Sequence, residues 1–264
     1  MLPLAALPAS CIEKLRGVVF DLDDTFLDGG RLSVEAYGAL CELHLAGYEI
    51  FVATGRPAGW GEVLARQWPV AGVLSENGAA AAFVDESGRL RRVDWANDEE
   101  RAERRCRLEE LVSDVRSRYP SLVPADDVGA RISDYTFDVG EHQRAEAELV
   151  DAVCSLAHAR GARTTRSSVH LHLSYDKDDK ATGALRLIHE RTRMDRTLAR
   201  FRFVYVGDSD NDAPCFAAFE VSVGVANLSG RPSMLPRYQT KAPRALGFVE
   251  VAKALLEPKK RVVR

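Results

Sequence analysis

The sequence predicts an α/β protein: a parallel sheet covered by helices on both faces, interrupted midway by a smaller α+β unit. Three observations carry this. Strand-like and helix-like stretches alternate at short spacing at both ends of the chain, and the stretches 131–139 and 167–175 alternate apolar with polar residues. Four polar clusters also follow directly on apolar strands. Strand–helix alternation builds a parallel sheet, whereas a period of two marks strands with one open face.

In order, "VVF" (18–20) reads as a buried strand and 33–47 as a helix, with Ser33 as N-cap and Gly47 just past its end. "YEIFVAT" (48–54) is the next strand; Pro57 opens a helix that stops before Pro69, and 72–84 gives a short strand and a turn. The middle differs. Residues 97–119 form a long, charged helix capped by Asn97 or Asp98, whose interleaved signs read as a solvated face. Strands are expected at 131–139 and 167–175, with a helix at 143–160 closed by Gly161. The parallel pattern returns with a helix at 181–193, strands "FRFVYV" (201–206) and "VSVGVA" (221–226), and a last helix near 246–256. The core therefore comprises 1–89 and 175–264, with the insert at 90–174.

Composition narrows the function. The 264 residues are 46% hydrophobic, enough for a substantial core, and the net charge of -3 argues against nucleic acid or an anionic membrane as partner. No apolar run approaches a membrane span, and "MLPLAALPASCIEKL" makes a poor signal peptide, lacking an early basic residue. Five scattered cysteines without a CxxC pair fit reduced thiols in a cytoplasmic protein. The basic tail "PKKRVVR" reads as a frayed, solvated end.

The chemistry gathers where strands end. In "GVVFDLDDTFLDGG" (17–30) an apolar strand runs straight into Asp21, Asp23 and Asp24. Ligands of open parallel sheets bind beyond the carboxyl ends of the strands. There lie "DLDDT", "TGR" (54–56), "ENG" (76–78) and "GDSDND" (207–212). Asp21, Asp23 and Asp208 together would repel one another without a cation, and Mg2+ suits a few carboxylates, waters and a phosphate. Rival motifs fail on counting. "DSDND" has Ala213 and Phe219 where an EF-hand loop needs Gly and Glu, and "HER" (189–191) lacks the second His of a zinc helix. The phosphate-binding P-loop, dinucleotide-binding and nucleophile-elbow patterns do not occur.

Together these residues resemble the haloacid dehalogenase (HAD) superfamily of phosphatases, in its Cof-like branch. "DLDDT" is similar to that family's first motif, "ATGR" to the second, Asp179–Lys180 to the third and "GDSDND" to the fourth, with "ENGA" a further landmark. Asp24 stands where the branch more often has Gly, and "ATGAL" follows Lys180 in place of the usual pattern. The resemblance implies a Rossmann-like core with a cap inserted between the second and third motifs. It implies Asp21 as nucleophile, Asp23 as general acid and base, and Lys180 as the positive partner of the site, with Lys177 competing for that role. Thr25, Thr54, Gly55 and Asn211 would hold or position the phosphoryl group. Mg2+ would be held by Asp21, the carbonyl of Asp23 and Asp208, with Asp212 binding it directly or orienting its water.

Specificity is expected from the insert, through Arg131, Asp138, His170 and His172. A regular strand puts Arg131 and Asp138 on opposite faces, so at most one should face a substrate. His170 and His172 share a face and read as an ordinary half-exposed strand surface rather than a ligand pair. Asp24 and Asp28 read as solvated turn residues, and Trp60 and Trp68 as packing residues. The function implied is Mg2+-dependent hydrolysis of a small phosphorylated metabolite, a sugar phosphate, through an aspartyl-phosphate. A phosphomutase or phosphotransferase using the same intermediate is the alternative enzyme class. A non-catalytic HAD-like regulatory module is the other alternative, which the Asp21–Asp23 pair argues against.

Overall fold

The computed structural model describes residues 1–167, 169–228 and 232–262, with side chains placed to Glu257. The strands are β1 (Leu2–Pro3), β2 (Gly17–Phe20), β3 (Glu49–Ala53), β4 (Gly72–Ser75), β5 (Ala80–Val84), β6 (Leu90–Asp94), β7 (Asp134–Asp138), β8 (Arg163–Arg166), β9 (His170–Ser174), β10 (Phe203–Gly207), β11 (Val221–Gly224) and β12 (Tyr238–Gln239). The helices are α1 (Ala9–Ile12), α2 (Val34–Leu45), α3 (Ala58–Gln67), α4 (Asp98–Arg118), α5 (Ala147–Ala159), α6 (Lys180–Thr192), α7 (Arg196–Arg202), α8 (Ala213–Ala218) and α9 (Arg244–Val262).

Among the described residues, nine strands form one sheet in the order β1-β12-β11-β10-β2-β3-β4-β5-β6, parallel except at β5 and β6. The chain winds outward from β2 through β3 and β4, then returns to the other side of β2 through β10 and β11. This reversal between β2 and β10 opens a crevice at their carboxyl ends, where ligands of such sheets bind. Both central strands are buried throughout, since α2, α3 and α9 pack on one face and α6, α7 and α8 on the other. Ser33 Oγ caps α2 through Ala36 N–H at 3.1 Å, and Asn97 with Glu100 closes a capping box on α4. Gly17 is required between the strands, since a Cβ there would lie 2.2 Å from the Glu49 carbonyl.

The second sheet has the order β7-β9-β8, antiparallel, with α4 and α5 packed on one face. Tyr135, Phe137, Leu171 and Leu173 point to those helices, while Asp134, Thr136, Asp138, His170 and His172 alternate onto the opposite face. That second face is turned onto the first sheet's crevice and is buried. The expected half-exposed surface is thus absent, because a sequence period reports polarity and not what covers it.

Other boundaries also move. Residues 90–94, assigned to the insert, form β6 and pair with β5 in the large sheet, so the second unit begins after Asp94. The expected strand at 131 starts at Asp134, after a short helical turn at Val128–Ala130. Residues 201–202 end helix α7 instead of opening β10, and β5 and β8 are strands not anticipated from the pattern. The basic tail's side chains lie outside the described residues, although the backbone remains helical to Val262.

Candidate active site

Asp21 continues β2 by one residue, its N–H donating to the Val206 carbonyl at 2.9 Å. The loop after it is pinned by Leu22, Phe26 and Leu27, all buried. Phe26 packs between Phe20 and Phe248 with ring centroids 4.8 Å from each. A buried Phe contributes roughly 1.5–3 kcal/mol, so these side chains anchor the acidic loop without using its polar groups. Asp24 takes φ 53°, held by Asn227 on its carbonyl at 2.9 Å and by Arg244 on its carboxylate at 3.2 Å. It is half-buried and paired, not the solvated turn acid expected; Asp28 is exposed and shares Arg244.

Lys180 opens α6 behind the Asp179 N-cap and is buried at 1% exposure. Its ammonium donates to Asp21 Oδ1 at 2.8 Å and Asp212 Oδ1 at 2.7 Å. Lys177 is exposed, and of the two lysines it is Lys180 whose ammonium meets the acidic cluster. Asp212 Oδ1 also accepts from the Tyr205 hydroxyl, and its Oδ2 accepts from the N–H groups of Asp208 and Ser209 at 2.9 and 3.1 Å. All four of its in-plane lone-pair positions are engaged. As arranged, Asp212 orients Lys180 and the 208–209 turn, leaving Asp21 and Asp208 with oxygens open to a cation. Thr25 also departs from expectation: its hydroxyl donates to Asp208 Oδ1 at 3.2 Å and so fixes a carboxylate.

Ligand oxygens of Asp21, Asp208 and Asp212 lie within 4.8 Å of one another. Three buried carboxylates against one ammonium leave a surplus of two negative charges, which fits a divalent cation. Burial raises the Asp21 carboxyl to about 7; Lys180 opposes this, and Asp212 and Asp23 add to it. Burial, with Asp21 beside it, also pushes Asp208 well up. Burial works against the Lys180 proton, but Asp21 and Asp212 outweigh it and hold the ammonium charged. The opposite demands of Lys180 and Asp21 follow from the charge surplus: the lysine keeps its proton and the acids compete for what remains.

Thr54 ends β3, buried, and its Oγ1 accepts from Arg56 N–H at 3.0 Å, which leaves its own O–H free to donate. Arg56 holds Asp23 through two hydrogen bonds of 2.9 Å, reaches Glu141 at 2.8 Å, and lies 4.8 Å from the Trp60 ring centroid. Trp60 is thus a partly exposed platform for Arg56, whereas Trp68 packs on Phe26 and Tyr37. Asn211 accepts from Ser209 Oγ at 2.7 Å and faces Asn77.

The second sheet brings His170 and His172 over this crevice, where both border a void of about 10 Å3 with Asp21, Asp23 and Asp208. His170 Nε2 lies 2.8 Å from Glu141 Oε2, and His172 Nδ1 lies 2.8 Å from Asp134 Oδ2. The other two candidates are already occupied. Arg131 donates to Asp127, Asp134 and the Gly55 carbonyl with its side chain fully buried. Asp138 accepts N–H groups of residues 140 to 143 and shapes the loop carrying Glu141. Neither offers a free group to a substrate. A cleft of about 360 Å3 continues from Lys180, Asn211 and His172 past Arg163 and Thr165.

Sequence reasoning assigned no role to Arg56, Glu76 or Glu141. Glu76, buried at the end of β4, accepts from the N–H groups of Ala58, Ile132, Ser133 and Asp134 and from the Ser133 hydroxyl, joining the two sheets. Burial, with Asp134 next, pushes its carboxyl up, while those donors favour its charge. Arg56 and Glu76 belong to the "TGR" and "ENG" clusters, so their position was visible; their partners lie on the insert and were not.

Residues 18–104 match the model of haloacid dehalogenase-like hydrolases. No curated protein matches the chain in sequence. Among solved structures, a Thermoplasma acidophilum protein is 20% identical, with a TM-score of 0.70 over 91% of this chain and 98% of its own. The trehalose-6-phosphate phosphatase C-terminal domain of C. albicans is 11% identical, with a TM-score of 0.68 over 94% of each chain. The sucrose-phosphatase of Synechocystis sp., solved with sucrose and phosphate, is 15% identical, with a TM-score of 0.61 over 91% of this chain and 98% of its own.

Proposed function

We propose, from the premise that this chain is a haloacid dehalogenase-like hydrolase of the Cof-like branch, that it is a Mg2+-dependent phosphatase of a small phosphorylated metabolite, a sugar phosphate. The observation that carries this is the buried Lys180 bonded to both Asp21 and Asp212 at the ends of β2 and β10. A structural turn has no need of two buried acids sharing one lysine beside a third buried acid.

In this reading an oxygen of Asp21 attacks phosphorus, the ester P–O bond breaks, and the phosphoryl group passes to Asp21. Asp23, whose two oxygens accept from Arg56 in the structure, would take up a proton as that pair loosens around substrate and give it to the departing oxygen. It would then take one from the water that cleaves the aspartyl-phosphate, releasing phosphate and restoring Asp21. Lys180 and the Thr54 hydroxyl face the charge that spreads over the phosphoryl oxygens. Mg2+, held by Asp21, Asp208 and the Asp23 carbonyl, would supply the remaining positive charge, with Asp212 placing its neighbours. Arg56 and Glu141 exclude water above Asp23, and the unit from α4 to β9 acts as the cap.

The five cysteines are unpaired, which supports a reducing, cytoplasmic setting. No helix of the described residues is long and apolar enough to cross a membrane. Phosphate release from a panel of phosphorylated metabolites, with Mg2+ and with chelator, tests the reading. Release that survives chelation, or none from any ester, would overturn it.

A further inference from the structure

Asn77 is held at φ 52°, and its Nδ2 is buried without a hydrogen-bond partner. The orientation of its amide follows from a chain of bonds. Ser209 Oγ donates to Asn211 Oδ1 at 2.7 Å, which turns Asn211 Nδ2 outward as a donor to Asn77 Oδ1 at 3.4 Å. Asn77 Nδ2 is therefore an unused donor.

His172 presents the converse. The Asp134 carboxylate, bonded on both oxygens by Arg131, takes the hydrogen of His172 Nδ1. Nε2 then carries a lone pair, and no donor reaches it among the described residues. Burial, with Arg131 and His170 nearby, lowers the imidazole well below its ordinary range and keeps it neutral.

These two atoms both approach Gly55. A Cβ built on Gly55 would lie 3.2 Å from Asn77 Nδ2 and 3.2 Å from His172 Nε2, so a larger residue there would crowd both atoms. Gly55 and His172 also line the void beside Asp21 and Asp23. One donor facing one acceptor across a gap suits a neutral hydroxyl, which accepts from Nδ2 and donates to Nε2. An ammonium would meet the amide donor, and a carboxylate or second phosphate would meet the imidazole lone pair.

We propose that Asn77, Gly55 and His172 form a slot that reads a free hydroxyl of the leaving group. The substrate class is a phosphate monoester of a polyol, and the slot is complete only while β9 lies over the crevice. This rests on the phosphatase reading.

The test compares glycerol 1-phosphate with n-propyl phosphate, which has the same carbon count without the hydroxyls, using the Mg2+-loaded protein. Wild-type kcat/KM should favour glycerol 1-phosphate by about 10-fold or more, because a buried donor and acceptor are left unpaired by the propyl ester. The ratio should fall toward one in His172→Phe, which removes the acceptor at similar bulk. Asn77→Gly should do the same, since glycine tolerates the left-handed backbone and carries the test should the other variant not fold. A wild-type ratio near one, or a ratio preserved in the folded variants, overturns the slot while leaving the phosphatase reading intact. Absence of phosphate release from any ester overturns that reading and the slot with it.

Discussion

Arg56 and Asp23 face each other as a two-point pair: guanidinium Nε and Nη2 donate to the two carboxylate oxygens, each at 2.9 Å. The same Nη2 also donates to Glu141 on the opposite side of the crevice at 2.8 Å. One cation thus ties the proposed acid–base residue to the unit that covers it.

Arg56→Ala leaves Asp23 and Glu141 without a shared cation, so kcat/KM should drop at least about 10-fold. Arg56→Lys should not rescue it, since an ammonium cannot reproduce the planar fork. Glu141→Gln keeps the Arg56–Asp23 pair and should raise KM more than it lowers kcat. Wild-type kinetics in Arg56→Lys would exclude the two-point geometry as a requirement.

Mg2+ should raise the melting temperature by binding the native state alone, and Asp208→Ala should erase that increment. Without the ion, Asp21 titrates at about 7 against an ordinary 3.8, so the folded protein holds an extra proton between those values. The stability this gives is complete below 3.8 and lost as pH rises through about 7. Mg2+ must displace that proton. Because Asp208 is also pushed up, the ion's apparent affinity should climb by about tenfold or more per pH unit below about 7, read from thermal-shift titrations. A flat profile would place the ion away from Asp21.

Lys180→Met removes the one cation shared by Asp21 and Asp212. Breaking such a buried pair costs about 3–5 kcal/mol, so chemical denaturation should show a loss of that order together with loss of turnover. Lys177→Ala, at an exposed position, should stay within about 0.5 kcal/mol of wild type and keep its activity. Equal effects of the two substitutions would reverse the assignment.

Asp21→Asn should abolish turnover and leave the fold intact, as the amide is nearly isosteric but no nucleophile. It also removes one of the crowded charges, so the metal-free variant should lose less stability than wild type as pH rises from 4 to 8. Retained kcat in undeamidated protein would exclude Asp21 as the nucleophile.

The core was legible because its strands are apolar on both faces and its polar clusters fall at their ends. Asp21 and Asp208 could be placed at strand ends from order along the chain, whereas Lys180 competed with Lys177 until burial separated them. The engagement of Asp212 and Thr25 could not, since hydrogen-bond saturation depends on Tyr205 and on the fold of the 208–212 turn. The insert was harder still. Arg131 and Asp138 look free in sequence, but one is consumed by Asp127, Asp134 and the Gly55 carbonyl, the other by a turn of backbone N–H groups. The partly exposed "RTTR" of β8 has no strong apolar period, and its pairing with β9 supplies what propensity does not.

The Glu76 carboxylate grips three successive backbone N–H groups, 132 to 134, where β7 begins. That grip sets an axle at one margin of the small sheet. With β7 fixed, β9 and then β8 lie progressively farther out, about 5 and 10 Å by ordinary strand spacing. A tilt of about 10° about β7 therefore lifts β8 by roughly 2 Å while hardly moving β7. Any rotation about that margin would widen the crevice first on the β8 side, over the 360 Å3 cleft.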